Sequence, residues 1–248
     1  MHDNRMTTEI LTIDKGQCLT DVLPAIPANT IFDKTITGCG ATHSEIVNAA
    51  RHSIIIEPNI PVILGKKAEH PFLFAVYEGI TKEDVKAYLA GEHDGYRKII
   101  TTPEGFDKKV LPAMHELEIP VYKDYFLLFD ECEKAIQDVG YRGDIYLPVE
   151  DFFKFENKAM VSATPIVPSD PRFEENGFKI LKLVPTYDSR IELTLCTTNN
   201  TVAVMRKLLK RLENETVCVF LNSTETILSL IYALRLQGRS RVFCWKKA

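Results

Sequence analysis

Residues 125–129, Tyr-Phe-Leu-Leu-Phe, form a short aromatic run that ends abruptly in two adjacent carboxylates, Asp130 and Glu131. The run does not alternate between apolar and polar residues. Without alternation it predicts a strand buried on both faces, which is the environment of a parallel sheet covered by helices on each side. That environment constrains the rest of the chain, because parallel strands need long crossovers between them. The sequence supplies them. Strands are predicted at Thr30–Ile36, Ser53–Glu57, Phe72–Val76, Arg97–Thr101, Phe126–Phe129 and Lys158–Ser162. Helices are predicted over residues 41–51, from Thr81 to a stop at Gly91, over Pro103–Glu118 and near Val149–Phe155. Thr81 with Asp84 three residues on has the form of a capping box, and Gly91 is a natural stop.

Residues 165–178 are rich in Pro, Asp, Glu and Gly and read as a loop. Strands at Phe178–Val184 and Ile191–Cys196 flank a boundary near 186–199. A second unit then reads as helix Thr201–Leu212, strand Val217–Leu221, helix Glu225–Leu236 and strand Arg241–Trp245. The expected fold class is therefore α/β with three layers.

Charge and cysteine usage narrow the function classes. The chain has 248 residues and a net charge of −4, yet residues 201–248 hold nine Lys/Arg against three Asp/Glu. A basic segment permits contact with phosphates; it also suits the solvated faces of two amphipathic helices. The six cysteines form no C-x-x-C pair and no cluster with histidine, so zinc is not expected. Met1–Asp14 is polar and of mixed charge, without a signal-peptide core, and no apolar run is long enough to span a bilayer. A cytoplasmic location is expected.

Open α/β sheets bind ligands at the carboxyl ends of their strands, and Asp130 and Glu131 stand at such an end. Two acids there suit a magnesium-bound nucleotide, one holding the metal or its waters and the other polarising a water. A helix start, with Asp130 as cap and Glu131 facing the dipole, accounts for the same two residues equally well. Thr37-Gly38-Cys39-Gly40-Ala41-Thr42 lies between a predicted strand and a predicted helix, the context of a phosphate-binding loop. Thr42 stands where a hydroxyl would meet magnesium. The pattern G-x-x-x-x-G-K-[ST] requires Gly at 35 and Lys at 41, where this chain has Thr35 and Ala41. A plain Gly-rich turn fits these residues at least as well.

Taken in order, six segments resemble the motifs of the superfamily 2 helicases of the DEAD/DEAH-like group. Thr37–Thr42 resembles motif I. Ile54-Ile55-Ile56-Glu57-Pro58-Asn59 resembles motif Ia, and Ile99-Ile100-Thr101-Thr102-Pro103-Glu104-Gly105 resembles motif Ib. Asp130-Glu131-Cys132-Glu133 resembles motif II, Val161-Ser162-Ala163-Thr164-Pro165 motif III, and Val217–Ser223 motif IV. The resemblance implies a three-layer RecA-like P-loop NTPase fold over residues 1–188 with a mostly parallel sheet. Residues 189–248 would begin a second RecA-like domain, incomplete in this chain.

It also implies ATP and Mg2+ as cofactors and DNA or RNA as partner. Asp130 would hold magnesium with Thr42, and Glu131 would activate the attacking water. Gly38, Cys39, Gly40, Ala41, Thr42 and His43 would line the nucleotide site. Pro58, Asn59, Thr102 and Pro103 would meet the nucleic-acid strand, and Ser162, Ala163 and Thr164 would couple the two sites.

Two departures bear on activity. Ala41 replaces the lysine that neutralises the β- and γ-phosphates in this family, with Lys34 and His43 as nearby candidate cations. Glu133 replaces the usual His or Asp of motif II. The family's arginine finger lies beyond motif IV and is not expected within these 248 residues, so hydrolysis and strand separation are not expected of this chain by itself. The alternative reading is an inactive helicase-like module that binds nucleic acid or acts as a scaffold. An unrelated α/β hydrolase is a third, disfavoured because no Gly-x-Ser-x-Gly elbow or nucleophile–His pair is evident.

Overall fold

The computed structural model describes residues 6–132, 149–164, 170–189, 195–211, 216–221 and 223–241. The chain divides into two compact units, Met1–Ser189 and Arg190–Ala248. The first is built on one sheet of eight strands: β1 (Thr8–Ile13), β2 (Thr30–Asp33), β3 (His52–Ile56), β4 (Phe74–Val76), β5 (Lys98–Thr101), β6 (Tyr125–Asp130), β7 (Asn157–Ser162) and β8 (Lys179–Pro185). Their order across the sheet is β1-β8-β2-β7-β6-β3-β5-β4, and every pair is parallel.

Strand β6 lies near the middle of this sheet and is buried throughout, as its unbroken apolar run requires. Its side chains alternate between two cores. Leu127 and Phe129 join Ile54, Ile56 and Ile99 on one face, while Phe126 and Leu128 join Ile55 and Ile100 on the other. Helices cover both faces. The first core is closed by α4 (Lys82–Ala90), α6 (Leu111–Glu116), α7 (Val121–Asp124), α8 (Val149–Lys154) and α9 (Arg172–Glu175), through Val85, Met114, Val121, Phe152 and Phe173. The second is closed by α1 (Leu19–Val22), α2 (Ala41–Val47) and α3 (Ile60–Glu69), through Leu19, Ile46 and Ile63. Each fully buried Ile, Leu or Phe contributes roughly 1.5–3 kcal/mol, so the three-layer arrangement follows from the composition of the strands.

Helix α4 begins and ends where the sequence placed it. Thr81 caps it, with Thr81 Oγ1 accepting from the Asp84 N–H and the Asp84 carboxylate returning a bond to the Thr81 N–H. The helical stretch after β5 is less regular than the sequence predicts. It starts as α5 (Pro103–Gly105), widens into a π segment over Phe106–Val110 and continues as α6. Pro112 accounts for the widening, because in a regular helix its ring would press on the Lys108 carbonyl.

Three further elements differ from expectation. The polar N-terminus contributes β1, an edge strand paired only with β8. Helix α3 was not anticipated, because Pro61 and Gly65 interrupt its pattern; Pro61 in fact sits in the first turn, where a proline costs little. Residues 165–178 contain α9 rather than loop alone, although 165–169 lie outside the described residues.

At the amino end of the strands a polar cluster is buried between α2 and the sheet. Lys98 Nζ donates to the Glu45 carbonyl at 2.9 Å and to Ser53 Oγ at 2.8 Å, and lies 3.6 Å from Glu45 Oε1. Arg51 pairs with Glu45 Oε2 at 2.6 Å and lays its guanidinium over the Phe126 ring, 3.4 Å from the centroid.

The second unit shows α10 (Thr201–Arg211) and α11 (Thr224–Ala233), and no strand among its described residues. The strand expected at Val217–Leu221 is not formed. Phe220 is 93% exposed, and a strand needs a neighbouring ladder that none of the described residues there provides. The predicted strands at Ile191–Cys196 and Arg241–Trp245 fall largely outside the described residues.

Candidate functional site

Because every strand pairs in parallel, all carboxyl ends share one edge of the sheet. The loops leaving β2, β3, β5, β6 and β7 therefore converge there. They carry, in turn, Lys34 with the Gly-rich turn, Glu57-Pro58-Asn59, Thr102-Pro103, Asp130-Glu131 and Ser162-Ala163-Thr164.

Asp130 is the last residue of β6 and is buried. One of its oxygens, Oδ2, accepts a short hydrogen bond from Thr42 Oγ1. The other, Oδ1, receives Lys34 Nζ at 3.2 Å and the Glu131 N–H at 2.9 Å. Glu131 Oε1 receives Lys34 Nζ at 2.7 Å. Glu131 itself sits at φ 51°, in the left-handed region that a non-glycine residue seldom adopts. Such strain recurs where a surrounding structure holds a functional side chain in place.

Lys34 is nearly buried, at 8% exposure. Burial pulls its ammonium down, but the charges of Asp130 and Glu131 and their hydrogen bonds outweigh this and hold its pKa above the ordinary lysine value. Its N–H donates to the Ser162 carbonyl at 2.9 Å. The next residue, Thr35, has φ 50° and is held by Asp33 Oδ1, which accepts from its N–H at 3.0 Å.

The Gly-rich turn follows. Gly38 and Gly40 have φ of 75° and 90°, which explains the residue type at both positions. The Cys39 carbonyl accepts from the Leu19 N–H at 2.8 Å, tying the turn to α1, and burial pushes the Cys39 thiol up in pKa. Ala41 and Thr42 open α2. His43, next along, faces His70 rather than the acids, with Nδ1 3.2 Å from His70 Nε2.

Glu57 was not singled out in the sequence, although Ile54-Ile55-Ile56-Glu57 repeats the signal of an apolar run ending in an acid. It is 2% exposed, and its Oε1 accepts from Asn59 N at 2.8 Å and Asn59 Nδ2 at 2.7 Å. Burial, and then the charge of Asp130, push its carboxyl up to about 7. Pro58 follows it, and Asn59 caps α3. Thr102 caps α5, its Oγ1 accepting from the Gly105 N–H at 3.0 Å, and Pro103 is buried in the first turn. Ser162 Oγ accepts from the Thr164 N–H at 2.9 Å, and Ala163 lies between them. Glu133 and Pro165 lie outside the described residues.

Thr42, Asp130 and Glu131 offer a hydroxyl and two carboxylates, the hard oxygen donors that magnesium takes. The Thr42–Asp130 contact shows that the first two reach a common point. In donor chemistry Thr42 and Asp130 fit a magnesium ion, although among the described residues no three His, Cys, Asp or Glu side chains gather as a metal cluster.

The described residues form an α/β fold with a single parallel sheet and helices on both faces. It is similar to the crystal structure of the DUF1998 helicase MrfA, with a TM-score of 0.56 at 14% sequence identity. The match covers 86% of this chain and 37% of that one, so the chain spans well under half the length of the helicase it resembles. At this identity the likeness speaks to the fold. No family model matches the chain, and no curated protein matches it. Among the described residues, no helix is long and apolar enough to cross a membrane.

Proposed function

We propose that the first unit is the nucleotide-binding domain of a helicase-like, nucleic-acid-dependent ATPase of the DEAD/DEAH-like group. The observation that carries this reading is the meeting of Thr42 and Asp130, from the Gly-rich turn and the central strand, at the carboxyl edge of a helicase-like sheet. Asp130 and Thr42 would hold Mg2+, which when bound supplies charge neutralisation at the phosphates of ATP. Glu131 would take a proton from the attacking water. Gly38, Cys39, Gly40, Ala41 and His43 would line the nucleotide. Pro58, Asn59, Thr102 and Pro103 share the same edge and would receive a DNA or RNA strand, while Ser162, Ala163 and Thr164 would link the two. Residues 189–248 would begin a second RecA-like domain.

The buried methyl of Ala41, where the family carries its lysine, favours a second reading: a binding or scaffold module that no longer transfers phosphate. Calorimetric titration with MgATP separates the two. The ATPase reading expects saturable binding by the unaltered chain and its loss in Asp130→Ala. Binding that appears only in Ala41→Lys would favour the inactive module. Binding that survives unchanged in Asp130→Ala would remove the site from this edge of the sheet.

A further inference from the structure

We propose that Lys34 is the phosphate-binding cation of this site, standing in for the lysine absent at position 41; the proposal rests on the nucleotide reading above. Lysine is almost never this buried unless paired, and here the pair is made with the two acids that would serve the metal and the water. Lys34 and Thr42 occupy the two oxygens of one carboxylate: Lys34 Nζ on Asp130 Oδ1, Thr42 Oγ1 on Asp130 Oδ2. The ammonium therefore lies within one carboxylate and two hydrogen bonds of the first turn of α2, where a nucleotide held by the Gly-rich turn would place its outer phosphates.

The charge balance points the same way. Asp130 and Glu131 gather at this edge, and a polyphosphate brought to these carboxylates alone would be repelled. Lys34 is the cation that the described residues place among them. The other nearby candidate, His43, is turned to His70.

Lys34 is also built to move its charge without moving its backbone. Its N–H is fixed to the Ser162 carbonyl, and Asp33 fixes the left-handed Thr35 beside it. The four-carbon stem can then swing Nζ from the carboxylates to a phosphate while the freed carboxylates turn to the metal. An ammonium on a flexible stem suits this exchange better than a planar guanidinium, which would hold the carboxylates as a fork. The backbone bond to Ser162 sets Lys34 beside the segment expected to couple nucleotide to nucleic acid.

The test is MgATP titration of the unaltered chain, Lys34→Ala, and the double variant Lys34→Ala/Ala41→Lys, with thermal unfolding recorded for each. Lys34→Ala is expected to weaken MgATP binding by about 10-fold or more, the loss of one charge-assisted hydrogen bond. The double variant is expected to recover the affinity of the unaltered chain, because a lysine at 41 reaches the same phosphates from the turn. If Lys34→Ala shows no unfolding transition, Lys34→Gln, which keeps an amide donor toward the acids without the charge, replaces it in both comparisons. Equal binding by the unaltered chain and the folded Lys34 variant overturns the role of Lys34 and leaves the nucleotide site standing. A folded double variant that fails to recover shows Lys34 to be only a partner for the acids, and also overturns it. No binding by the unaltered chain or by the double variant overturns both proposals, and binding by the double variant alone overturns the role of Lys34 only.

Discussion

Glu57 makes stability depend on pH in a direction opposite to that of most carboxylates. Its folded-state pKa is raised from 4.5 to about 7, because burial and then Asp130 disfavour the charged form. Below pH 4.5 the group is protonated in folded and unfolded chains alike and contributes no pH dependence. Between 4.5 and 7 the folded state binds the proton and the unfolded state does not. Stability from this residue is therefore fully present at low pH and is lost as pH rises through about 7. A shift of this size corresponds to about 3 kcal/mol. Glu57→Gln keeps a carbonyl oxygen to accept from Asn59 N and Nδ2 but carries no charge at any pH. Urea unfolding of both proteins from pH 5 to pH 8 isolates the effect, since all other titrations are shared. The variant should gain about 2.5 kcal/mol on the unaltered chain across that interval and nothing further above it. A difference that stays flat from pH 5 to pH 8 would refute the buried, charge-crowded account of Glu57.

Two more perturbations follow from the packing. A Cβ at Gly105 would lie 2.5 Å from Thr101 Oγ1 and 3.2 Å from the Val76 carbonyl, both in the buried sheet, so Gly105→Ala should cost about 1–3 kcal/mol, read as a lowered thermal midpoint. Glu45→Ala would leave Lys98 buried with Arg51 beside it and no carboxylate, and should destabilise by about 3–5 kcal/mol in denaturant unfolding.

What could be read in the sequence, and what could not, divides along burial. Strands β3 and β6 are covered on both faces, so Ile54-Ile55-Ile56 and Phe126–Phe129 announce themselves without tertiary context. Helix α4 carries both its caps, Thr81 and Gly91, in local sequence. Strand β1 does not announce itself. At the sheet edge, Thr8, Glu9 and Ile10 face solvent, and only the ladder to β8 makes Thr8–Ile13 a strand. Helix α3 is masked by Pro61 and Gly65, and the strand predicted at Val217–Leu221 has apolar residues but no ladder. The candidate site shows the same division. Asp130, Glu131 and Thr42 were legible from their positions at element ends. The ion pairs of Lys34 were not, because they join residues 96 and 97 positions apart. Nor was the elevated pKa of Glu57, which is set by burial under the assembled fold and then by Asp130 on the neighbouring strand.

The strand order has a consequence for biosynthesis. Strand β8 lies between β1 and β2, so the first strand made cannot join the sheet until the last one has been inserted. Residues 8–13 leave the ribosome early and then wait for residues 179–185, with Asp14 meeting Thr186 across 172 positions. A nascent chain arrested before residue 179 would present β2 as an open edge and β1 as an unattached tail. Completion of this sheet therefore waits on the insertion of β8, and the edge of β2 stays unpaired until then.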